Sequence, residues 1–320
     1  MTTTPDPADT TTSAQSVIVE SAHADPFAPP EGETKGKTKA RGQLADIWRR
    51  FKRNKLAMVG LVVVGILIVL ALVQPFISPY DPYDQNLLNT LASPGGDHIM
   101  GTDALGRDLY SGLLYGLKLA LLVGVSTMLG SMFVGVALGA LAGYRGRFSD
   151  GIIMRVTDIF LAFPYLIGAL LVVRTFGSGV TQVIIALVVL GWPTAARLMR
   201  GQMLALRESE YVEAARSIGA SDWRIVTRHI MPNAIQPVFI YSFTSIGVAV
   251  VAMASLAYLG VGVPPDTPEW GRLINQGIEQ VQVPGKDYLW IFPSLAICIT
   301  TLAFAFVADG LRDALDPKLR

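Results

Sequence analysis

From Ala57 onward, apolar residues gather into long runs separated by shorter polar stretches. Ala57 to Phe76 supplies about twenty of them, enough to cross a hydrocarbon core ~30 Å thick as one helix. Further runs over Leu113 to Ala142, Ile152 to Val173, Val180 to Leu198, Asn233 to Leu259 and Leu289 to Val307 bring the predicted spans to six. The second exceeds what one crossing needs, which predicts tilt or extension beyond the bilayer. Pro164 lies inside the third and predicts a kink, because proline frees a backbone carbonyl. Gly191, Trp192 and Pro193 mark an interruption of the fourth. The fold class is therefore an all-α integral membrane protein of six transmembrane helices.

Residues 1–42, rich in Thr, Ser, Pro, Ala and charge, lack a periodic apolar face and predict a disordered tail. The start MTTTPDPADT has neither the basic nor the apolar region of a signal peptide. Residues 43–112 hold an interfacial helix over Gln43 to Lys55, the first span and a polar outer loop. In that helix Trp48 and Phe51 share one side, and basic residues face anionic lipid. Residues 113–310 form a core of five spans, including an outer loop over Val261 to Tyr288, and 311–320 a charged tail. Within the second span Gly135, Gly139 and Gly143 recur at i, i+4 and i+8, a face for close helix packing first and a pore wall second. Arg155 and Asp158, at i and i+3, are positioned to pair.

Basic residues decide the orientation. They cluster before the first span (Arg49, Arg50, Lys52, Arg53, Lys55), between the second and third (Arg145, Arg147), and between the fourth and fifth (Arg197, Arg200, Arg207, Arg216, Arg224, Arg228). Outer segments are sparse in them, so both termini and the stretch at about 207–232 are assigned to the cytoplasm. Composition agrees with a membrane body: 51% of the 320 residues are hydrophobic and 16% charged, with a formal net charge of +1 that implies no nucleic-acid partner. The single cysteine, Cys298, excludes a disulfide framework and a cysteine metal site.

The stretch Arg207 to Pro232, RESEYVEAARSIGASDWRIVTRHIMP, is polar and helix-prone. Ser209 is placed as an N-cap, with Glu210 and Glu213 near the positive end of the helix that follows. Tyr211, Ala214, Ala215 and Ile218 recur on one face, and Gly219 ends the helix because it can take the left-handed conformation. Ser221 and Asp222 open a second helix, which Pro232 closes or kinks. A helix this short needs packing to persist. Its paired alanines leave a shallow surface that another protein's groove could approach, with the Glu213 carboxylate beside it.

EAARSIG followed by RHIMP resembles the coupling loop of permease subunits of bacterial ATP-binding-cassette (ABC) importers. Glu213, Ala214, Ala215, Gly219 and Pro232 stand at that pattern's offsets, and His229 and Met231 depart toward its peptide-transport branch. HIMGTDALGRD, PPDTPEWG, FPSLAI and DGLRDALDPKLR resemble permeases of the dipeptide, oligopeptide and nickel group. The likeness spans nearly all of residues 43–320. It implies a type I importer permease in the bacterial cell membrane that moves small peptides, or alternatively nickel chelates or glutathione. It further implies a second homologous permease subunit, two ATPase subunits and an extracytoplasmic binding protein. The expected coupling residues are Glu210, Tyr211, Glu213, Ala214, Ala215, Ser217, Ile218 and Gly219, with His229 and Pro232 at the loop exit. For Asp103, Arg107 and Asp108 in the outer loop, two readings stand: turn structure, and contact with the substrate-delivering protein.

Rival classes leave weaker traces. A DNA-binding helix-turn-helix would sit between two spans with little room for a duplex. A purely structural surface hairpin remains open. A secondary transporter would bring inverted repeats and intramembrane charges. An intramembrane enzyme would want paired carboxylates or histidines within the bilayer, whereas His23, His98 and His229 lie outside the spans. GETKGKT at 32–38 is one residue short of a phosphate-binding loop and no strand precedes it, so ATP and magnesium are expected on partner subunits and no cofactor on this chain.

Overall fold

The computed structural model describes residues 43–315; the expectations for residues 1–42 and 316–320 lie outside them. The elements in chain order are α1 (Gln43–Arg53), α2 (Lys55–Ile77), α3 (Leu109–Arg145), α4 (Arg147–Ala162), α5 (Tyr165–Phe176), α6 (Val180–Arg207), α7 (Glu210–Ser217), α8 (Asp222–Tyr258), α9 (Trp270–Glu279) and α10 (Tyr288–Leu315). Among these, α2, α3, α6, α8 and α10 are each long and apolar enough to cross a membrane. A sixth crossing exists only if α4 and α5 are counted together, since they meet at a bend of 93°.

That bend corrects the expected third span. Pro164 breaks the helix instead of kinking it: Phe163 is extended at φ −83°, ψ 134°, and Pro164 becomes the residue from which α5 starts. The proline ring disfavours helical backbone at the residue before it, and here the chain turns at that residue. The expected interruption at Gly191 to Pro193 is also corrected. The α6 helix runs through Pro193, with Trp192 and Pro193 both buried. It continues to Arg207 instead of stopping near Leu198, because Met199 and Met203 carry its buried face onward.

The α3 helix packs along α6, and glycine sets their separation. A Cβ on Gly135 would stand 2.5 Å from the Ala195 Cβ and 2.9 Å from the Trp192 carbonyl. On Gly139 it would overlap the Ala196 carbonyl, and on Gly143 it would stand 2.5 Å from the Met203 Cβ. Removing the side chain at every fourth position lets two backbones close to dispersion contact.

At the other side of the body, the first and last described helices meet. Asn54 accepts from the Ala57 N–H at 3.1 Å, starting α2, and donates to Asp313 at 2.8 Å. Trp48 and Phe51 stack with centroids 5.9 Å apart, yet only Trp48 stays exposed. Phe51 is buried against Gly310, whose added Cβ would lie 2.8 Å from the ring. Burying that ring contributes about 1.5–3 kcal/mol. Two expectations gain detail here. Phe51, on the apolar side of α1, faces protein, and residues 309–315 of the charged tail continue α10 as helix.

Candidate functional site

The segment after α6 builds a small polar platform. Ser209 sits at the N-cap position of α7 with extended backbone, but its hydroxyl turns back to the Leu206 carbonyl and does not cap. The turn is held instead by the Ser209 carbonyl, which accepts from Val212 at 3.0 Å and Glu213 at 3.1 Å. At the far end Gly219 has φ +79°. Its N–H donates to Arg216, and the Ala220 N–H donates to Ala215 at 3.1 Å. This paired closure satisfies the last carbonyls and needs a left-handed residue, which glycine supplies without strain.

Burial divides α7 into two faces. Val212 and Ala215 point inward, joining Met199, Met203, Ile225 and Ile230 in one apolar cluster. Glu210, Tyr211, Glu213, Ala214, Ser217, Ile218 and Gly219 are exposed. The expected grouping of Ala215 with Tyr211, Ala214 and Ile218 is thereby corrected, since Ala215 is part of the anchor. Ile218 is 85% exposed and Trp223, in the first turn of α8, 78%. The platform thus presents two large apolar side chains among polar ones.

The exit of the platform differs from expectation. Pro232 neither closes nor kinks a short helix; it lies within a helix that runs unbroken from Asp222 to Tyr258. The preceding residues Ile225–Ile230 form wide π turns, and the Met231 N–H reaches back five residues to Val226. Widening there makes room for a ring that would otherwise press on the carbonyl four residues earlier. His229 is half-buried, and its carbonyl accepts from the Asn233 side chain at 3.1 Å.

Several polar bonds fix the platform to the spans. Tyr144 donates to Asp222 at 2.6 Å. Arg200 forms a two-pronged ion pair with Asp150, and Arg207 reaches the Gly143 carbonyl at 3.4 Å. Asp158 pairs with Arg197 at 2.6 Å, not with Arg155 as its spacing suggested. Cross-helix approach between α4 and α6 brings Arg197 to the carboxylate.

On the opposite side, the outer loop is not a contact surface for the three charged residues singled out in it. Asp103, Arg107 and Asp108 are each about 3–4% exposed and bonded within the chain. Arg107 donates to Asp103 at 2.7 Å, to the Asp266 carbonyl at 3.0 Å and to Gln276 at 3.1 Å. Asp108 caps α3 by accepting from the Ser111 N–H at 2.8 Å, and also meets His98 at 3.0 Å. A salt bridge this deep is worthwhile only when its remaining donors and acceptors are satisfied, as they are here. The turn reading is the one that the geometry carries.

The outer lobe also holds α9, where a loop was expected. Trp270, Gly271, Leu273 and Gly277 form its buried side, and an added Cβ on Gly271 would overlap the Ala254 carbonyl. Glu269 caps it, accepting from the Gly271 N–H at 2.7 Å and the Arg272 N–H at 3.2 Å. Burial pushes this carboxyl up to about 7 despite those bonds. Beside α9 opens an apolar cavity of about 340 Å³, lined by Leu166, Ala254, Tyr258, Gly271, Ile274 and Ile297. The spacing of residues 270, 273 and 277 was the available sign of α9. For the Tyr144 and Asp222 bond there was none, since it joins residues 78 apart.

Residues 135–320 match the family model described as the binding-protein-dependent transport system inner membrane component. Residues 42–94 match that of the N-terminal transmembrane domain of oligopeptide transport permease C. The glutathione transport system permease protein GsiD of Pectobacterium atrosepticum is 41% identical over 278 residues, covering 86% of this chain and 91% of the relative. The dipeptide transport system permease protein DppC of Bacillus subtilis is 38% identical over 275 residues, 86% of each. Among solved structures, the MetNI methionine ABC transporter in an inward-facing conformation superposes with a TM-score of 0.50 at 17% identity. That likeness, over 62% of this chain and 96% of that one, concerns the fold.

Proposed function

The chain belongs to the family of binding-protein-dependent transport system inner membrane components, and on that premise we propose that α7 is the surface through which a partner ATPase drives it. It is a multi-pass permease subunit of an ABC importer of the bacterial inner membrane, with the all-helical fold of type I importers. The proposal concerns how this subunit is powered and what it carries.

The carrying observation is the division of α7 into an anchored and an open face. Val212 and Ala215 lock it to α6 and α8, while Tyr211, Ala214, Ile218 and Trp223 offer apolar surface beside the Glu210 and Glu213 carboxylates. A helix so fixed transmits force instead of swivelling. A partner that closes on ATP shifts the permease between two forms only by binding them unequally, and α7 with Gly219 is where that difference acts. ATP and magnesium then belong to two partner ATPase subunits. A second homologous permease subunit completes the pathway, and an extracytoplasmic binding protein delivers the solute.

We propose short peptides, of dipeptide to glutathione size, as the solute. Support comes from relatives named for dipeptide and glutathione transport. The test is an Ile218→Cys variant in a Cys298→Ser background, assembled with its partner subunits and treated with a short thiol-to-amine cross-linker. Attachment of the ATPase subunit to residue 218, with ATP-dependent uptake of labelled dipeptide or glutathione into vesicles, is the expected result. Cross-linking only to lipid or to extracytoplasmic protein would overturn it.

A further inference from the structure

We infer that Tyr144 is a positioning residue that ties the cytoplasmic end of α3 to the platform, so that a displacement of α7 is passed to α3 as well as to α8. This rests on the coupling reading of α7.

Tyr144 stands at the end of α3, where three elements converge. Its hydroxyl donates to the Asp222 Oδ1 at 2.6 Å, and the Arg216 side chain of α7 lies beside the same hydroxyl. Asp222 is the first residue of α8. One phenol therefore meets the element before the Gly219 turn and the element after it. Its ring packs on the cluster formed by Met199, Met203, Val212, Ala215, Ile225 and Ile230.

The other contacts of the platform with α3 are apolar and non-directional: Ala140, with Met132 and Val136 beside it, joins the cluster that holds Val212, Ala215, Ile225 and Ile230. Gly143 lies against Met203 and Arg200, and Arg207 reaches its carbonyl, so those contacts join α3 to α6. The closest backbone approach of α3 to α8 that a glycine marks is at Gly124, whose added Cβ would lie 2.9 Å from Ile246. That point is ~30 Å along α3 from Tyr144 at the helical rise. Among the described residues, the Tyr144 and Asp222 bond is the side-chain hydrogen bond that links α3 to α8. A phenol bound to a carboxylate is directional and short, which suits it to hold register between two helix ends.

Tyr144→Phe removes the hydroxyl and keeps the ring. In proteoliposomes holding the complete transporter, it is expected to leave complex yield and ATP hydrolysis within about twofold of the parent. Uptake should fall about fivefold or more, so that ATP consumed per solute rises by the same factor. Asp222→Asn keeps an acceptor oxygen and should retain most uptake, whereas Asp222→Leu should match Tyr144→Phe. An unchanged ATP-to-solute ratio in Tyr144→Phe, or equal behaviour of Asp222→Asn and Asp222→Leu, would overturn the inference. Should Tyr144→Phe fail to reach the membrane, the Asp222 pair decides. The residue 218 cross-link separates the two levels: its absence removes the coupling reading, while its presence with an unmoved ratio removes only the role of Tyr144.

Discussion

Arg107 and Asp103 face each other across 2.7 Å in the outer lobe, both almost wholly removed from solvent. The remaining guanidinium nitrogens reach to the loop before α9 and to α9 itself, so one side chain fastens two segments about 160 residues apart. Arg107→Ala leaves the Asp103 carboxylate buried without its partner, a loss of roughly 3–5 kcal/mol. Arg107→Lys should recover little, because an ammonium cannot address three acceptors in a fork. Thermal unfolding of the detergent-solubilised subunit is the check; a Lys variant as stable as the parent would contradict it.

Gly219 has φ +79°, and Pro cannot leave φ near −65°. Gly219→Pro is expected to abolish uptake while the protein remains in the membrane. Asn tolerates the left-handed region, so Gly219→Asn should keep most of it. Uptake normalised to membrane-inserted protein distinguishes the two, and equal loss in both would mean that the turn conformation is not what matters.

Reversing one charge on the open face tests the platform from another direction. Glu213 is exposed and bears no buried burden, so Glu213→Lys should leave stability within ~0.5 kcal/mol. It should nonetheless reduce co-purification of the ATPase subunit by tenfold or more. Normal recovery of the complex with normal uptake would sink the assignment of this face.

Helix separation sets a third kind of expectation. Gly139→Leu forces a side chain into the Ala196 carbonyl and Met199, an overpacking cost of about 1–3 kcal/mol or more. Gly65 in α2 has nothing within 4 Å of an added Cβ, so Gly65→Leu should be neutral. The pair, compared by melting in one detergent, isolates packing from helix propensity.

Glu269 gives the molecule a pH dependence of defined sign. Its folded-state pKa of about 7 stands above the ordinary 4.5. Below pH 4.5 the carboxyl is neutral folded and unfolded, and no penalty arises. As pH rises from 4.5 to about 7 the unfolded chain ionises first, so stability falls by ~3 kcal/mol and then levels. Glu269→Gln keeps an acceptor for the Gly271 N–H and should flatten that stretch of a melting-temperature profile against pH.

Much of the molecule was legible because its signals are local. Runs of apolar residues placed the long helices, and Gly219 announced its turn. Proline was the least transferable sign: Pro164 breaks a helix, Pro193 sits quietly in one, and Pro232 is absorbed by π turns. The ring is the same in each case, and the backbone around it, set by tertiary packing, differs. Asp103 and Arg107 read as polar loop residues because burial by α9 is decided far along the chain. At Tyr211 to Ile218 the periodicity was helical as expected, but which side faced inward depended on Met199 and Met203 in α6.

The continuity of α8 ties inside to outside by geometry alone. Its 37 residues make a rod ~55 Å long. One tip carries Trp223 on the open platform, and the other supplies Ala254 and Tyr258 to the apolar cavity. Pivoting such a rod by ~5° about its midpoint swings each tip by ~2 Å in opposite directions. A displacement of the platform end of α8 would thus move the cavity wall at its other end, with no relay of side chains in between.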